Sequence, residues 1–457
     1  MELSTVNLFH SILQGFELPS IEFPYLGTRG LVGVVMLIHI FFATLFVGYA
    51  VGSPLLQLWS VRTGNSRYER LAHSIARFNV LTFSVGATWA VMFLVVLLGF
   101  YPRVTTALFT HFFWFFPVIG MGAMVLTIYF FYVHYYRAKN RALPRNIAAG
   151  IAAALFILLW QAILTGMDTF MVTGGAGGQA VPSGTEVSSV GAALDSILSP
   201  MWLTQLIHRT FGNLSWPAFA VAAWAAFRYS GAKSAEDKAF YDWAGSMGVL
   251  WGTVFLLLQP FGGFATVYVM SKLDYSAEDL AVPGASGSYD RLVGEGSDSF
   301  TSNLLHINLA MVVGLFVLSN VAMYIGAGRH PDLAGRRPIQ FFGLAAATGL
   351  VSLVANFDHG TPLFWSRYIA ILIMILATLG ALIAYVRGRR LFRYGSPGRG
   401  YRAVLLSLGI LAAVVTLSMG WMKSNSRAPY TIYGQSGYQV ESERPVIPEE
   451  LQETAEP

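Results

Sequence analysis

The chain has 457 residues, of which 55% are hydrophobic and only 12% charged, and none is cysteine. Soluble domains carry about 25% charged residues, so this composition excludes a soluble domain; the missing cysteines exclude disulfides, thiolate metal centres and covalently attached CxxCH haem. The net charge of +5 lies mostly in loops between apolar runs and points to no nucleic-acid partner.

A membrane-spanning helix needs about 20 mostly apolar residues. Ten segments qualify in chain order: 30–55, 79–101, 110–136, 147–167, 202–227, 243–268, 302–326, 339–356, 364–386 and 403–422. The expected fold is an all-α polytopic membrane helix bundle of about ten transmembrane helices. The 46 glycines suit it, because small residues let helices approach closely in lipid. The first basic residue is Arg29, so the start of the chain lacks the charged n-region of a signal peptide. Residues 1–29 are expected as a periplasmic segment, 30–422 as the bundle and 423–457 as a periplasmic tail rich in Glu and Pro.

The loops set the expected orientation. Arg62, Arg67, Arg70 and Arg77 follow the first segment; Arg137, Lys139, Arg141 and Arg145 the third; Arg228, Lys233 and Lys238 the fifth. Arg329, Arg336 and Arg337 follow the seventh, and six arginines between Arg387 and Arg402 the ninth. The alternate loops carry Asp168, Glu186 and Asp195, or Glu278, Asp279, Asp290, Glu295 and Asp298. By the positive-inside rule the basic loops are cytoplasmic and both termini periplasmic, in a bacterial inner membrane.

Without cysteine, histidine is the residue to follow. On this topology His39, His111, His208, His306 and His359 all fall in the outer third, while His73, His134 and His330 are on the cytoplasmic side and His10 precedes the first segment. Imidazole is a common axial ligand of haem iron, and an ionisable group within a membrane is a functional candidate by default. The plain alternative for any one of them is a structural histidine bonded across helices. His39 and His208 lie deepest in their segments. No HxxxH or ExxH pattern falls within a span, and no Asp or Glu occurs between Glu69 and Asp168, so the second to fourth segments offer no acidic proton relay.

The pattern resembles the large, haem-bearing subunit of the cytochrome bd quinol oxidases. Arg29 and His39 resemble that family's arginine and high-spin-haem histidine in the first helix. The run SPMWLTQLIHRTFGN resembles the segment bearing the low-spin haem b ligand, which places His208 in that role. GWMKSNSRAPYTIYG resembles the family's GW…E…GRQPW stretch, aligning Trp421, Arg427 and Pro429, and Arg367 in WSRYIA resembles the arginine beside the low-spin haem. YVMSKLD resembles the start of the quinol-binding loop and puts Lys272 on its lysine.

Departures from the family shape what the resemblance implies. The two glutamates of its third helix have no counterpart here, its glutamate ligand becomes Asn425, and its methionine ligand becomes Ile369. The quinol loop is short, two extra helices intervene, and the family's last helix is missing. The expectation is a diverged bd-like cytochrome b: an electron-transfer subunit holding haem b through His39 and His208, with second ligands from His306, His111 or Met311. Haem propionates favour arginine partners, here Arg29 and Arg367, with Arg427 and Trp421 alongside. Lys272, with Asp274 or Glu278, would bind quinone or quinol. Expected partners are membrane lipid, other subunits of a respiratory complex and a periplasmic c-type cytochrome, without oxygen reduction. The alternatives are a true quinol:oxygen oxidoreductase and a haem-free membrane anchor.

Overall fold

The computed structural model describes residues 27–101, 105, 108–109, 111–137, 144–173, 190–272, 289, 292, 300–329, 336–355 and 362–426. Among the described residues all ten apolar segments are helical. They are α1 (Gly27–Thr63), α2 (Ser66–Phe100), α3 (built from Trp114–Gly120, Met121–Tyr132 and Val133–Arg137), α4 (Pro144–Thr173), α6 (Trp202–Ser230), α7 (Ala235–Lys272), α8 (Phe300–Gly328), α9 (Arg336–Ala355), α10 (Pro362–Gly388) and α11 (Arg399–Ser426). A short helix, α5 (Val190–Ile197), occupies part of what the sequence reads as an irregular loop, 169–201.

Most helices outrun their apolar cores. At 1.5 Å per residue, the 37 residues of α1 reach about 55 Å, well past the hydrocarbon layer. Among the described residues eight helices are long and apolar enough to cross a membrane. The other two are α9, whose apolar part is only Ile339–Val354, and α6, which carries Gln205, His208, Arg209 and Asn213.

Local sequence explains the breaks. Gly64 has φ +66°, a left-handed conformation suited to glycine, and it turns α1 back into α2. Asn65 then caps α2, its side-chain oxygen accepting from the Arg67 N–H at 3.0 Å. Pro117 lies in the widened first turns of α3, where a missing N–H and the ring's bulk favour π-type geometry over a regular α turn.

The core is centred on α6 and α7, which pack along their lengths. Gly248 makes this possible: a Cβ there would stand 2.6 Å from the Ala218 carbonyl oxygen and the Ala222 nitrogen. Phe219, Val249, Phe316, Met374, Tyr385, Tyr401 and Leu408 are essentially inaccessible around this pair. α1 joins α2, α4, α6 and α11, and α8 to α10 stack beside α11 and α7. Large apolar side chains such as Val95, Val125, Phe261 and Ile410 face outward, as lipid-facing residues of a polytopic bundle do.

The antiparallel course separates two ends. One gathers Arg62, Arg67, Arg70, Arg228, Arg329, Arg389 and Arg402; the other gathers His39, His111, His208 and His306.

Candidate functional site

His208 sits seven residues into the 29-residue α6, facing α7. Its Nδ1–H donates to the backbone carbonyl of Gln259 at 3.1 Å, and the Gln259 amide returns a bond to the His208 carbonyl at 3.1 Å. The approach is close because α7 has glycine there. A Cβ on Gly262 would meet His208 Cα at 2.8 Å and Cβ at 2.9 Å, and one on Gly263 would come within 3.3 Å of the imidazole Cε1. Two side chains are thus omitted where the ring rests.

His39 repeats the arrangement on another pair. Its Nδ1–H donates to the Gly86 carbonyl of α2 at 3.0 Å, and its ring lies parallel to Phe93, with centroids 6.4 Å apart. In both cases histidine and acceptor belong to the two arms of one helical hairpin, α1–α2 or α6–α7. Among the described residues neither Nε2 has a hydrogen-bond partner.

The remaining histidines are held differently. His111 engages Ser196 of α5 through Nε2 at 2.6 Å and stacks on Phe170, centroids 4.7 Å apart. His134 uses both nitrogens, Nε2 with Ser53 Oγ and Nδ1 with the Asn146 carbonyl, each at 2.9 Å. A Cβ on Gly150 would collide with that ring at 2.6 Å. His306 bonds through Nδ1 to the Ser302 carbonyl of its own helix at 2.8 Å.

Charged groups cluster near the two hairpin histidines. Arg209 lies within electrostatic reach of His39, and Lys423 within reach of His208. Lys423 is ion-paired with Asp168 at the end of α4, and Arg209 reaches Thr165 one turn away. Alongside them, Gln161 donates to Thr210 at 2.7 Å and accepts from Asn213 at 2.6 Å. Sequence reasoning passed over Lys423, Asp168 and Arg209 as pocket neighbours; the signal was their depth on α4, α6 and α11, level with His208.

A haem iron asks its histidine for a neutral nitrogen with a free lone pair, and for a tether on the other nitrogen that fixes ring and tautomer. His39 and His208 meet both demands, and a cation lies within electrostatic reach of each, Arg209 of the first and Lys423 of the second. These residues fit the group. His111 and His134 have Nε2 engaged.

Other expected site residues are placed as follows. Arg29 is in the first turn of α1. Arg367 is 5% exposed and bonds the Tyr368 hydroxyl at 2.9 Å, whereas Ile369, two residues on, is 65% exposed and points out of the bundle. Met311 is half-buried against the main core, and Trp421 is exposed on α11. Lys272, also exposed, lies over the Tyr268 ring at 5.5 Å. Asn425 lies in the last turn of α11. Arg427, Asp274, Glu278, His359, His10 and His330 lie outside the described residues. No group of three or more His, Asp or Glu side chains suited to a bare metal ion occurs among the described residues.

The opposite end holds a polar cluster that the sequence reading missed. Asp242 has no exposed side-chain surface; it accepts from Arg329 at 2.9 and 3.0 Å and from the Gly395 N–H at 2.9 Å. The Gly395 carbonyl accepts from the Tyr229 hydroxyl at 2.9 Å, and Arg329 stacks over Tyr401 at 4.6 Å. Asp242 stands one residue before the sixth apolar segment and inside a basic stretch, so it reads as a loop residue.

No family model matches the chain, and no curated protein does. Among solved structures it is similar to a chain of the bd oxidase from Geobacillus thermodenitrificans, with 15% sequence identity and a TM-score of 0.46 over 88% of this chain and 98% of that one.

Proposed function

We propose that the protein is a haem-bearing membrane electron-transfer subunit, a diverged bd-like cytochrome b that binds haem b through His39 and His208. The observation that carries this reading is the matched tethering of the two imidazoles: each gives Nδ1–H to a backbone carbonyl of the partner helix and leaves Nε2 free. The flanking motifs around Arg29–His39 and SPMWLTQLIHRTFGN support it independently.

When bound, haem would supply one-electron redox chemistry. The chain's own residues would do the rest. Gly86 and Gln259 hold the two rings in one tautomer through their carbonyls. Gly262 and Gly263 let α7 close against His208, while Arg209 near His39 and Lys423 near His208 would offset negative charge on the groups held there. Lys272, with Asp274 and Glu278, is the proposed quinone-binding set. Electrons would pass between quinol and a periplasmic c-type cytochrome or a larger oxidoreductase complex in a bacterial inner membrane. Second ligands from His306 or Met311 belong to the same proposal, as does His111 if its Nε2 exchanges the Ser196 hydroxyl for iron.

Oxygen reduction is left out of the proposal on chemical grounds. It needs protons carried into the bilayer, and α2 and α3 contain no carboxylate beyond Glu69. Asp242 is committed to Arg329 and Gly395, so it is not free to relay.

The test is a pyridine haemochrome assay on purified, folded protein, with His39→Ala and His208→Ala beside it. Each variant should lose one haem, while Arg62→Gln, exposed at the opposite end of the bundle, keeps both. Haem-free folded protein, or full haem content in both histidine variants, would overturn the reading. Cyanide-sensitive oxygen uptake with quinol would replace it with the oxidase alternative.

A further inference from the structure

The arginine end contains a charge imbalance that the proposed electron-transfer role does not use. Arg329 and Arg389 both reach inward, and Asp242 is the carboxylate between α7, α8 and the turn after α10. Its two oxygens are already taken by Arg329 and the Gly395 N–H. Arg389, in the single turn Arg389–Leu391 that ends α10, pairs with no carboxylate among the described residues. One of its terminal nitrogens faces the Met247 sulfur at 2.6 Å, and its Nε is inaccessible and without a partner. A thioether is a weak acceptor, and a guanidinium offers five donors in a planar fork. Arg389 also donates to the Tyr394 hydroxyl, and Tyr385 and Tyr68 complete its surroundings. The carbonyl end of α10 contributes at most about half an elementary charge, short of what one guanidinium requires.

We propose that Arg389 is the anchor of a binding site for one phosphate group. The chemistry is specific: a guanidinium fork matches phosphate oxygens bidentately. Arg67, which lies over the Tyr394 ring at 5.8 Å, stands on the near side as a second cation. Arg387, Arg390 and Arg393 crowd the same turn in sequence and raise the local potential for anions. Arg389 directly follows Gly388, where α10 ends, and the ends of spanning helices lie near the level of phospholipid headgroups. Two sources present the same chemistry there, an acidic phospholipid headgroup and free phosphate.

The experiment uses the full chain in detergent. Its thermal unfolding is followed with added phosphatidylglycerol, with phosphatidylcholine, and with inorganic phosphate, and native mass spectrometry counts retained lipid. Phosphatidylglycerol should raise the transition and remain bound at one per chain, more tightly than phosphatidylcholine. Arg389→Gln should weaken that binding by about fivefold, the worth of one arginine at an anionic membrane surface. Arg62→Gln, exposed at the end of α1 at the same end of the bundle, should leave it unchanged. Stabilisation by inorganic phosphate alone, lost in Arg389→Gln, assigns the site to free phosphate and upholds the proposal. Arg389→Lys keeps the charge without the fork and should show a smaller loss, which covers the case where the glutamine variant does not fold. If every folded Arg389 variant holds lipid and phosphate as the wild type does, the assignment is wrong.

Discussion

The two ends of the bundle handle buried polar groups in opposite ways. At the arginine end Asp242 is saturated by Arg329 and by the backbone of Gly395, and Gly395 is gripped again by Tyr229. The bonds of Asp242 and Gly395 all close onto other protein groups and tie helix ends together. At the histidine end His39 and His208 are each held by one nitrogen and offer the other. The difference separates a lock from a site. Burial of polar side chains is common to both, and unspent bonding capacity marks the places that can take up a ligand, His39 and His208 at one end and Arg389 beside the clasp at the other.

Substitutions should fall differently on the two ends. Asp242→Ala strips the one carboxylate bonded to the half-buried Arg329 among the described residues and should cost about 3 kcal/mol, read as a large fall in the thermal transition of detergent-solubilised protein. An unchanged transition would mean that the lock is not one. Gly262→Ala drives a methyl group into the His208 backbone and should cost about 1–3 kcal/mol through strain between α6 and α7. It should also lower haem content, which Asp242-type destabilisation of the far end would not do in protein that remains folded. Tyr229→Phe removes one hydrogen bond to Gly395 and should cost about 1 kcal/mol with haem content intact. His208→Ala should be similarly mild for haem-free protein, since it too loses one bond, while abolishing its haem; a drop as large as that of Asp242→Ala would erase the contrast between the ends.

Much of this was legible in the sequence. The ten apolar runs all became helices, because helix is the structure that satisfies each backbone group within its own segment in lipid. The depths of His39 and His208 followed from counting along those runs. Their carbonyl acceptors did not, because Gly86 and Gln259 contribute backbone, and a carbonyl carries no sequence signature. Asp242 was hidden by its neighbours: α7 starts at Ala235, eight residues ahead of the apolar run, so a residue that reads as part of a basic loop is folded into the interior. α5 escaped for a related reason, since its eight residues are too short to announce a helix without the packing of Ile197 against Gly166.

The hairpin placement of the two histidine bonds also bears on the order in which the molecule assembles. His39 and Gly86 are 47 residues apart, and His208 and Gln259 are 51, whereas Asp242 waits for Arg329 at a separation of 87 and for Gly395 at 153. Chains build up from the N-terminus during synthesis, and contacts between near neighbours close soonest. Once Lys272 has emerged, both hairpins are complete and both rings can already be oriented, before α8 has been made. The clasp at the other end then forms last, after both rings have been set while the chain was still being synthesised.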